Sequence, residues 1–503
     1  MEILKIFLPE IFLFFCILYQ IIFSVSFFKT FKVNVPCLND ELYYQVLFIL
    51  ICLLLLCFNQ KFIGFSINFV FFFDNSSKYL KLIFSFILLL SFTPIWCSFI
   101  NQKINFFEFF ILILLSVFGL MLLINSFDLI PTYLILELQA LCFYVLSSFC
   151  RTSSFSTEAG LKYFILGSFI SGIFLFGCLL IYALLGTTNF HKILLLLFLP
   201  INDLKFTFLL FVGFFLISLT FLFKLVVAPF HFWAPDVYDG SPLASTIFFS
   251  LIPKISLFVI FMRWLSIFLP NFQNFGNFLL FIGLFSVFWG AYFSISQKRF
   301  KRFILYSSIS QIGFLIIGLS QFKLDLYSSV FFFLFFYLIT SIIIWGFLAN
   351  FYKKNLKKSN LKNYIFINPV MLIDLSSFFR SNIVWSISLL IIFFSFAGIP
   401  PFTGFLSKVF ILLSLIREHT IFFSTILILI SVLSSFYYLR VIKIIFFEKT
   451  ERFFMLKKQN FFNIAFNESE YIIYAICLLF LVLIFFYPAI FILISNLVVM
   501  DFF

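Results

Sequence analysis

Three lysines and one glutamate sit deep inside long apolar segments of this 503-residue chain. Glu137 lies in Leu-Ile-Leu-Glu-Leu-Gln-Ala-Leu, Lys224 in Phe-Leu-Phe-Lys-Leu-Val-Val-Ala-Pro, Lys254 in the apolar run after Ser241-Pro242, and Lys408 in Gly-Phe-Leu-Ser-Lys-Val-Phe. A lysine at the centre of a membrane helix costs at least ~2.5 kcal/mol on insertion scales, and such residues mark ion or proton pathways. Static ion pairing that fixes helix register is the plain alternative. Three central lysines facing one central glutamate cannot all be neutralised pairwise. Desolvation disfavours the charged amine and a nearby carboxylate favours it, so a lysine whose carboxylate partner moves or takes up a proton becomes a switchable carrier. Proton transfer is the chemistry these four positions suggest.

Other groups flank them. Lys162 lies near the inner end of its segment, where either snorkelling or an auxiliary place in a relay accounts for it. His231, in Pro-Phe-His-Phe-Trp, reads equally as a proton shuttle or as a structural loop histidine. Asp236 and Asp239 are expected to cap or brace the loop before Ser241-Pro242 opens the next helix. Arg263, Arg440 and Lys443 lie near segment ends, where snorkelling explains them. Gly167, Ser171, Gly172 and Gly177 suggest close helix packing.

The elements that position these groups are membrane helices. The chain is 64% hydrophobic with mean hydropathy +1.19, and apolar runs long enough to span a bilayer recur from end to end. An all-α polytopic membrane fold of about fourteen spans follows. They fall near 7–28, 42–59, 78–99, 107–125, 129–149, 159–185, 205–230, 241–267, 276–296, 301–320, 327–350, 383–415, 420–446 and 471–497. Segments 62–73 and 193–200 are too short to span, and the first could be re-entrant. Residues 7–28 read as a first helix rather than a cleavable signal. The 92 phenylalanines fit codon drift in an AT-rich genome better than an aromatic cofactor path.

Two spans are interrupted, the seventh at Ala228-Pro229 and the twelfth at Ala397-Gly398-Ile399-Pro400-Pro401. Broken helices survive at membrane depth only when buried in protein or lining a wet cavity. Their spacing suggests two inverted five-helix repeats, spans 4–8 and 9–13. The expected organisation is an N-terminal three-helix segment (1–106), a first repeat (107–267), a second repeat (268–446) and a C-terminal loop with the last helix (447–503). Loops after odd-numbered spans hold most of the basic residues, among them Lys298, Arg299, Lys301, Arg302, Lys357, Lys358, Lys362, Lys449, Arg452 and Lys457. The other side holds Lys61, Lys78, Lys81, Lys192, Lys205, Lys323 and Arg417. This places the odd loops inside and both termini outside. It also accounts for the +13 net charge without a nucleic-acid partner, the basic loops facing lipid headgroups or acidic subunits.

Cys16, Cys37, Cys52, Cys57, Cys97, Cys142, Cys150, Cys178 and Cys477 form no CxxC pair, and His191, His231 and His419 lie far apart. With no nucleotide-binding glycine loop either, neither a redox centre nor a metal is expected in the chain.

Five stretches together resemble subunit 2 of NADH dehydrogenase, the N-type antiporter-like family of respiratory complex I. They are Phe-Lys-Leu-Val-Val-Ala-Pro-Phe-His-Phe-Trp-Ala-Pro-Asp-Val-Tyr-Asp-Gly-Ser-Pro at 223–242, Glu-Leu-Gln at 137–139, Leu-Lys-Tyr-Phe-Ile-Leu-Gly-Ser-Phe at 161–169, Tyr-Ser-Ser-Ile-Ser-Gln-Ile-Gly at 306–313 and Ala-Gly-Ile-Pro-Pro-Phe-Thr-Gly-Phe-Leu-Ser-Lys at 397–408. A lysine rather than a glutamate at 408 favours subunit 2 over subunit 4. The resemblance implies Glu137, Lys224, Lys254 and Lys408 as proton-transfer residues, with Lys162 auxiliary. It implies subunits 4L and 4 as neighbours in the membrane arm. FMN, the iron–sulfur clusters and the main quinone site are implied to lie in other subunits. A mitochondrial inner-membrane location and lipids such as cardiolipin are expected. A stand-alone cation/proton antiporter subunit and a non-transporting scaffold are the rival readings.

Overall fold

The computed structural model describes residues 6–30, 37–60, 65–67, 70–102, 104, 107–198, 203–356, 371–376, 378–448 and 468–500. Helices α1 (Leu8–Thr30), α2 (Cys37–Phe58) and α3 (Asn75–Asn101) come first, with a hairpin of β1 (Phe65–Ile67) and β2 (Phe71–Phe73) between α2 and α3. Then come α4 (Glu108–Asn125), α5 (Leu129–Ser147), α6 (Ser154–Leu185), the short α7 (Phe190–Leu197), α8 (Leu204–Lys224), the short α9 (Trp233–Gly240) and α10 (Leu243–Phe268). The second half holds α11 (Gln273–Ser296), α12 (Phe300–Gly318), α13 (Leu324–Leu356), the one-turn α14 (Phe378–Ser381), α15 (Ile383–Ala397), α16 (Thr403–Arg417), α17 (Ile421–Phe446), α18 (Glu468–Phe486) and α19 (Pro488–Val499).

Among the described residues twelve helices are long and apolar enough to cross a membrane, or up to thirteen if the bent pair α18–α19 counts as one span. The difference from about fourteen has two causes. The segment expected as span 12 is two helices of 15 residues, α15 and α16. At 1.5 Å per residue each reaches roughly 22 Å, short of a hydrocarbon core of about 30 Å. The last expected span bends by 93° at Pro488, because proline lacks the N–H that would continue the ladder and pushes Tyr487 out of helical geometry. Segment 62–73 is not a re-entrant helix where it is described. It pairs antiparallel, Phe65 with Phe73 and Ile67 with Phe71, as its aromatic residues favour. Half of the basic 351–362 loop, residues 357–362, and all of the 449–458 loop lie outside the described residues.

Burial is uneven and decides where the interior sits. The spanning window of α10 is 100% buried, that of α13 94% and that of α3 78%, against 28% for α6 and 33% for α17. Charge on α10 therefore has only protein to interact with, whereas α6 and α17 face outward. Close approach between helices rests on glycine at several points, two of them glycine against glycine. A Cβ on Gly177 of α6 would meet the Gly213 carbonyl of α8 at 3.1 Å, and one on Gly283 of α11 would meet the Gly313 carbonyl of α12 at 3.2 Å. Gly167 packs against the Tyr144 ring, but Gly172 has nothing within 4 Å, so only part of the small-residue stripe of α6 is a packing surface.

Two residues placed in loops by hydropathy are buried. Lys301 lies in the first turn of α12, 8% exposed, its ammonium reaching the Ser241 carbonyl at 3.3 Å. Lys81 is fully buried in an ion pair with Glu10. Arg263 does not snorkel. It is 4% exposed and donates to the carbonyls of Ile124 and Ser126 at the end of α4.

Cysteines introduced singly at Lys298, in 351–362 and in 449–458 should label with an impermeant reagent from one side of the membrane, and one at Arg417 from the other. Labelling of Lys298→Cys and Arg417→Cys from the same side would contradict the arrangement of α11–α17.

Candidate functional site

The first helix break builds the first half of the site. α8 ends at Lys224, and Val226 adopts a left-handed φ of 63°, a strained conformation for a β-branched residue. Val226 and Val227 return their N–H groups to the carbonyls of Phe223 and Leu222 at 3.0 Å. The Phe223 carbonyl also accepts from Trp233 Nε1 at 3.2 Å, and the Trp233 ring stacks on Tyr163 at 4.8 Å. The loop thus satisfies its own backbone inside the apolar body, as it must. Lys224 is left half-buried at the carbonyl end of its helix. Its ammonium donates to the Leu136 carbonyl at 3.5 Å.

Glu137 is the next residue along α5 and is the charged group that bears on Lys224. The two do not form an ion pair within 4 Å, and Glu137 Oε1 is buried with no hydrogen-bond partner among the described residues. Gln139, one turn away from Leu136, is also buried with its Oε1 unpartnered. A cavity of about 40 Å³ lies here, lined by Gln139, Tyr144, Tyr163, Lys224, Trp233, Tyr238, Pro253 and Leu257 among others. It has room for roughly two or three waters.

Lys254 follows Pro253 in the middle of α10. The proline cannot donate to the carbonyl four residues back, and Tyr238 of α9 donates to that Phe249 carbonyl at 3.4 Å instead. Lys254 is 5% exposed. Its ammonium donates to the Tyr337 hydroxyl of α13 at 2.5 Å and stands 4.7 Å from that ring's centroid.

The second break positions Lys408. α15 closes at Gly398 with φ 80°, a left-handed cap that glycine adopts without strain. The last carbonyls of α15 would be orphaned in the apolar body. Lys408, from the first turn and a half of α16, takes both, Phe396 at 2.7 Å and Ala397 at 3.2 Å. Its ammonium also stands 5.3 Å from the Phe314 ring. Gln311, Phe333, Tyr337, Phe396 and Ser407 enclose Lys408 and leave no room for a water-sized occupant. Tyr337 therefore touches Lys254 and also walls the Lys408 site. Beside it, Gln311 donates to Tyr438 at 3.2 Å and Ser310 shares a hydrogen bond with Tyr437 at 3.1 Å.

The remaining expected residues sit apart from this line. Lys162 is 42% exposed and pairs with Glu158 one turn back and with Asp236, both at 2.8 Å. Asp236 and Asp239 brace the loop as expected. Asp239 pairs with Arg299 and, at 3.0 Å, with Arg302, which also approaches Asp236 at 3.7 Å. His231 is buried next to this network, 6.3 Å ring to ring from Tyr306, with Nδ1 unpartnered among the described residues. Burial pushes its imidazole below the usual range, opposed by a backbone hydrogen bond to Pro229.

Tyr337, Tyr238 and Gln311 were not singled out from the sequence. A signal was there: in a chain with 92 phenylalanines and 20 tyrosines, a tyrosine kept inside Phe-Phe-Phe-Leu-Phe-Phe-Tyr-Leu-Ile-Thr carries a hydroxyl where the composition favours none. Among the described residues no group of three or more His, Cys, Asp or Glu side chains could hold a metal ion.

The family model described as NADH:quinone oxidoreductase/Mrp antiporter, TM, matches residues 126–434. The NADH-ubiquinone oxidoreductase chain 2 of Marchantia polymorpha is 35% identical over 77% of this chain and 76% of its own length. The NADH-quinone oxidoreductase subunit N of Pelagibacter ubique is 38% identical over 69% of this chain and 70% of its own. A chain of the respiratory complex I structure from Thermus thermophilus superposes with a TM-score of 0.72 at 22% identity, covering 97% of this chain and 99% of that one.

Gly398→Ala should destabilise the protein by about 1–2 kcal/mol from left-handed strain alone. It should also displace Lys408, whose Cδ would lie 3.0 Å from the new Cβ. Gly172→Ala, with nothing within 4 Å, is the control and should leave thermal inactivation unchanged. Equal effects of the two would remove the special role of the α15 cap.

Proposed function

The chain belongs to the NADH:quinone oxidoreductase/Mrp antiporter membrane-subunit family, in the chain 2 or N-type group of respiratory complex I, and from that premise we propose that it translocates protons along a line of buried lysines. The carrying observation is the 2.5 Å bond from Lys254 to Tyr337, which also walls the enclosed Lys408 site. Tyr337 thus lies between the Lys254 ammonium and the Lys408 site.

The route starts at the basic end, where Lys162, Asp236, Arg302 and His231 lie. Lys224 receives a proton next to a cavity with room for water that adjoins Pro253, the neighbour of Lys254 on α10. Water carries the proton across this first half. Between Lys254 and Lys408 no water-sized space exists at the Lys408 site, so the Tyr337 hydroxyl makes the connection. It accepts from the Lys254 ammonium on one face and hands its own proton toward Lys408, which must be neutral and turned away from the α15 carbonyls at that moment. Turned back to those carbonyls, the Lys408 ammonium regains both acceptors. Glu137, next to the Leu136 carbonyl that Lys224 contacts, is its nearby negative charge, and displacement of that charge lets Lys224 release and links the line to the neighbouring subunit.

We assign fourteen crossings by counting α15–α16 and α18–α19 each as one, with both termini on the intermembrane-space side of the mitochondrial inner membrane and the two repeats at 107–267 and 268–446. Plant relatives of the chain 2 type support the mitochondrial placement. Subunits 4L and 4 are the proposed neighbours, with FMN, iron–sulfur clusters and the main quinone site in other subunits. Cardiolipin suits the basic surface.

Lys224→Met should largely abolish proton pumping in proteoliposomes while native gels show an assembled complex. Glu137→Gln should lower pumping too, and the double variant Glu137→Gln/Lys224→Met should be no worse than Lys224→Met alone. Strict additivity would make the two sites independent. Tyr337→Phe keeps the ring and removes the hydroxyl. Losing a hydrogen bond to a charged group at about 1.5–3 kcal/mol predicts roughly 10- to 100-fold slower pumping by an assembled complex. Wild-type rates in Tyr337→Phe would exclude the hydroxyl bridge.

A further inference from the structure

A second buried charge site lies at the far end of α10 from the basic network. α10 begins next to Asp239, Arg299 and Lys301, carries Lys254 midway and presents Arg263 near its end. Arg263 donates to the carbonyls of Ile124 and Ser126, the residues on either side of Asn125. Asn125 Nδ2 donates to Glu10 Oε1 at 2.9 Å, and the same oxygen pairs with the Lys81 ammonium. Glu10 is 2% exposed, and Lys81 and Asn125 are each 0% exposed. None of these three residues falls in the stretch 126–434 that the family model matches.

A lock that only holds α1 against α3 would be expected to have its polar atoms satisfied. This one does not. Glu10 Oε2, Asn125 Oδ1 and the Lys81 ammonium have no hydrogen-bond partner among the described residues, the ammonium being held by the ion pair and by the Phe73 ring at 4.9 Å. The other titratable groups near the pair are Cys57 of α2 and Arg263, which holds the carbonyls of Ile124 and Ser126 on either side of Asn125. A buried carboxylate with a free oxygen beside an ammonium with free donors can pass a proton and return to its starting state.

We propose that Glu10 and Lys81, steadied by Asn125, form a proton-releasing site at the end of the chain opposite its basic loops, with water as the acceptor. The inference rests on the proton-translocating reading of Lys224, Lys254 and Lys408. A proton arriving on the Glu10 carboxylate breaks the ion pair. The Lys81 ammonium, 0% exposed while paired, is left without its counter-charge, turns toward the outer end of α3, gives a proton to water there and becomes a neutral amine. The Glu10 O–H then transfers its proton to the Lys81 nitrogen and restores the pair. One proton enters, one leaves, and the site ends as it began.

Lys81→Arg tests this directly. A guanidinium keeps the charge and the pairing but does not deprotonate in proteins. Proton-to-electron ratios would be measured for the whole complex in proteoliposomes, with Lys254→Met in parallel and with Glu10→Gln/Lys81→Met as a charge-free second variant. The expected result is an assembled Lys81→Arg complex whose ratio falls to that of Lys254→Met. A wild-type ratio in assembled Lys81→Arg, with Lys254→Met impaired, overturns this site and leaves the lysine line standing. A wild-type ratio in Lys254→Met overturns both. Should neither Lys81 variant assemble, infrared difference spectra of the complex during NADH oxidation decide: a protonated-carboxyl band that shifts in Glu10→Asp supports the site, and an unshifted spectrum overturns it.

Discussion

Backbone carbonyls released inside an apolar body must find donors, and that requirement organises the interior of this protein. Three of the places that release them frame the site: the end of α8 at Lys224, the turn of α10 ahead of Pro253, and the end of α15 at Ala397. Each is answered differently. Trp233 supplies an indole N–H to Phe223, Tyr238 a hydroxyl to Phe249, and Lys408 an ammonium to Phe396 and Ala397. The polar residues that could carry protons are thereby placed at the points where the helices are broken. A straight bundle would offer them no carbonyls and no reason to be buried.

The same constraint explains why the two halves of the site differ. The first break opens into a loop and a short helix, and a space of about 40 Å³ remains beside Lys224. The second break is tighter. Gly398 caps α15 in the left-handed conformation, α16 begins at Thr403, and Lys408 is clamped on the released carbonyls with no space for water. The proposed relay uses water in the first half and a side-chain hydroxyl in the second, where Lys254 donates to Tyr337.

Charge is concentrated at the two ends of α10. At one end Asp236 and Asp239 meet Arg299, Arg302 and Lys162 in a half-exposed network, screened by solvent and easily rearranged. At the other, Glu10, Lys81 and Arg263 are buried among α1, α3 and α4. A helix whose spanning window is wholly buried connects them.

Hydropathy and the cost of burying charge were enough to locate Glu137, Lys224, Lys254 and Lys408, because an ionisable residue in a 20-residue apolar run stands out without any partner being known. Proline and glycine pairs likewise located both helix breaks, since a missing N–H is a property of one residue. What the chain alone could not reveal was pairing across long sequence separations. Lys81 looked like a loop lysine and Arg263 like a snorkelling one, yet each is buried by a helix distant in sequence. Glu137 and Lys224 share a region but not an ion pair, and Tyr337 meets Lys254 across 83 residues. A span count reads length and apolarity, so it merged α15 with α16 and straightened the bend at Pro488. Which polar group finds which depends on how helices cross, and that is set by side-chain packing summed over the whole body rather than by any local run of residues.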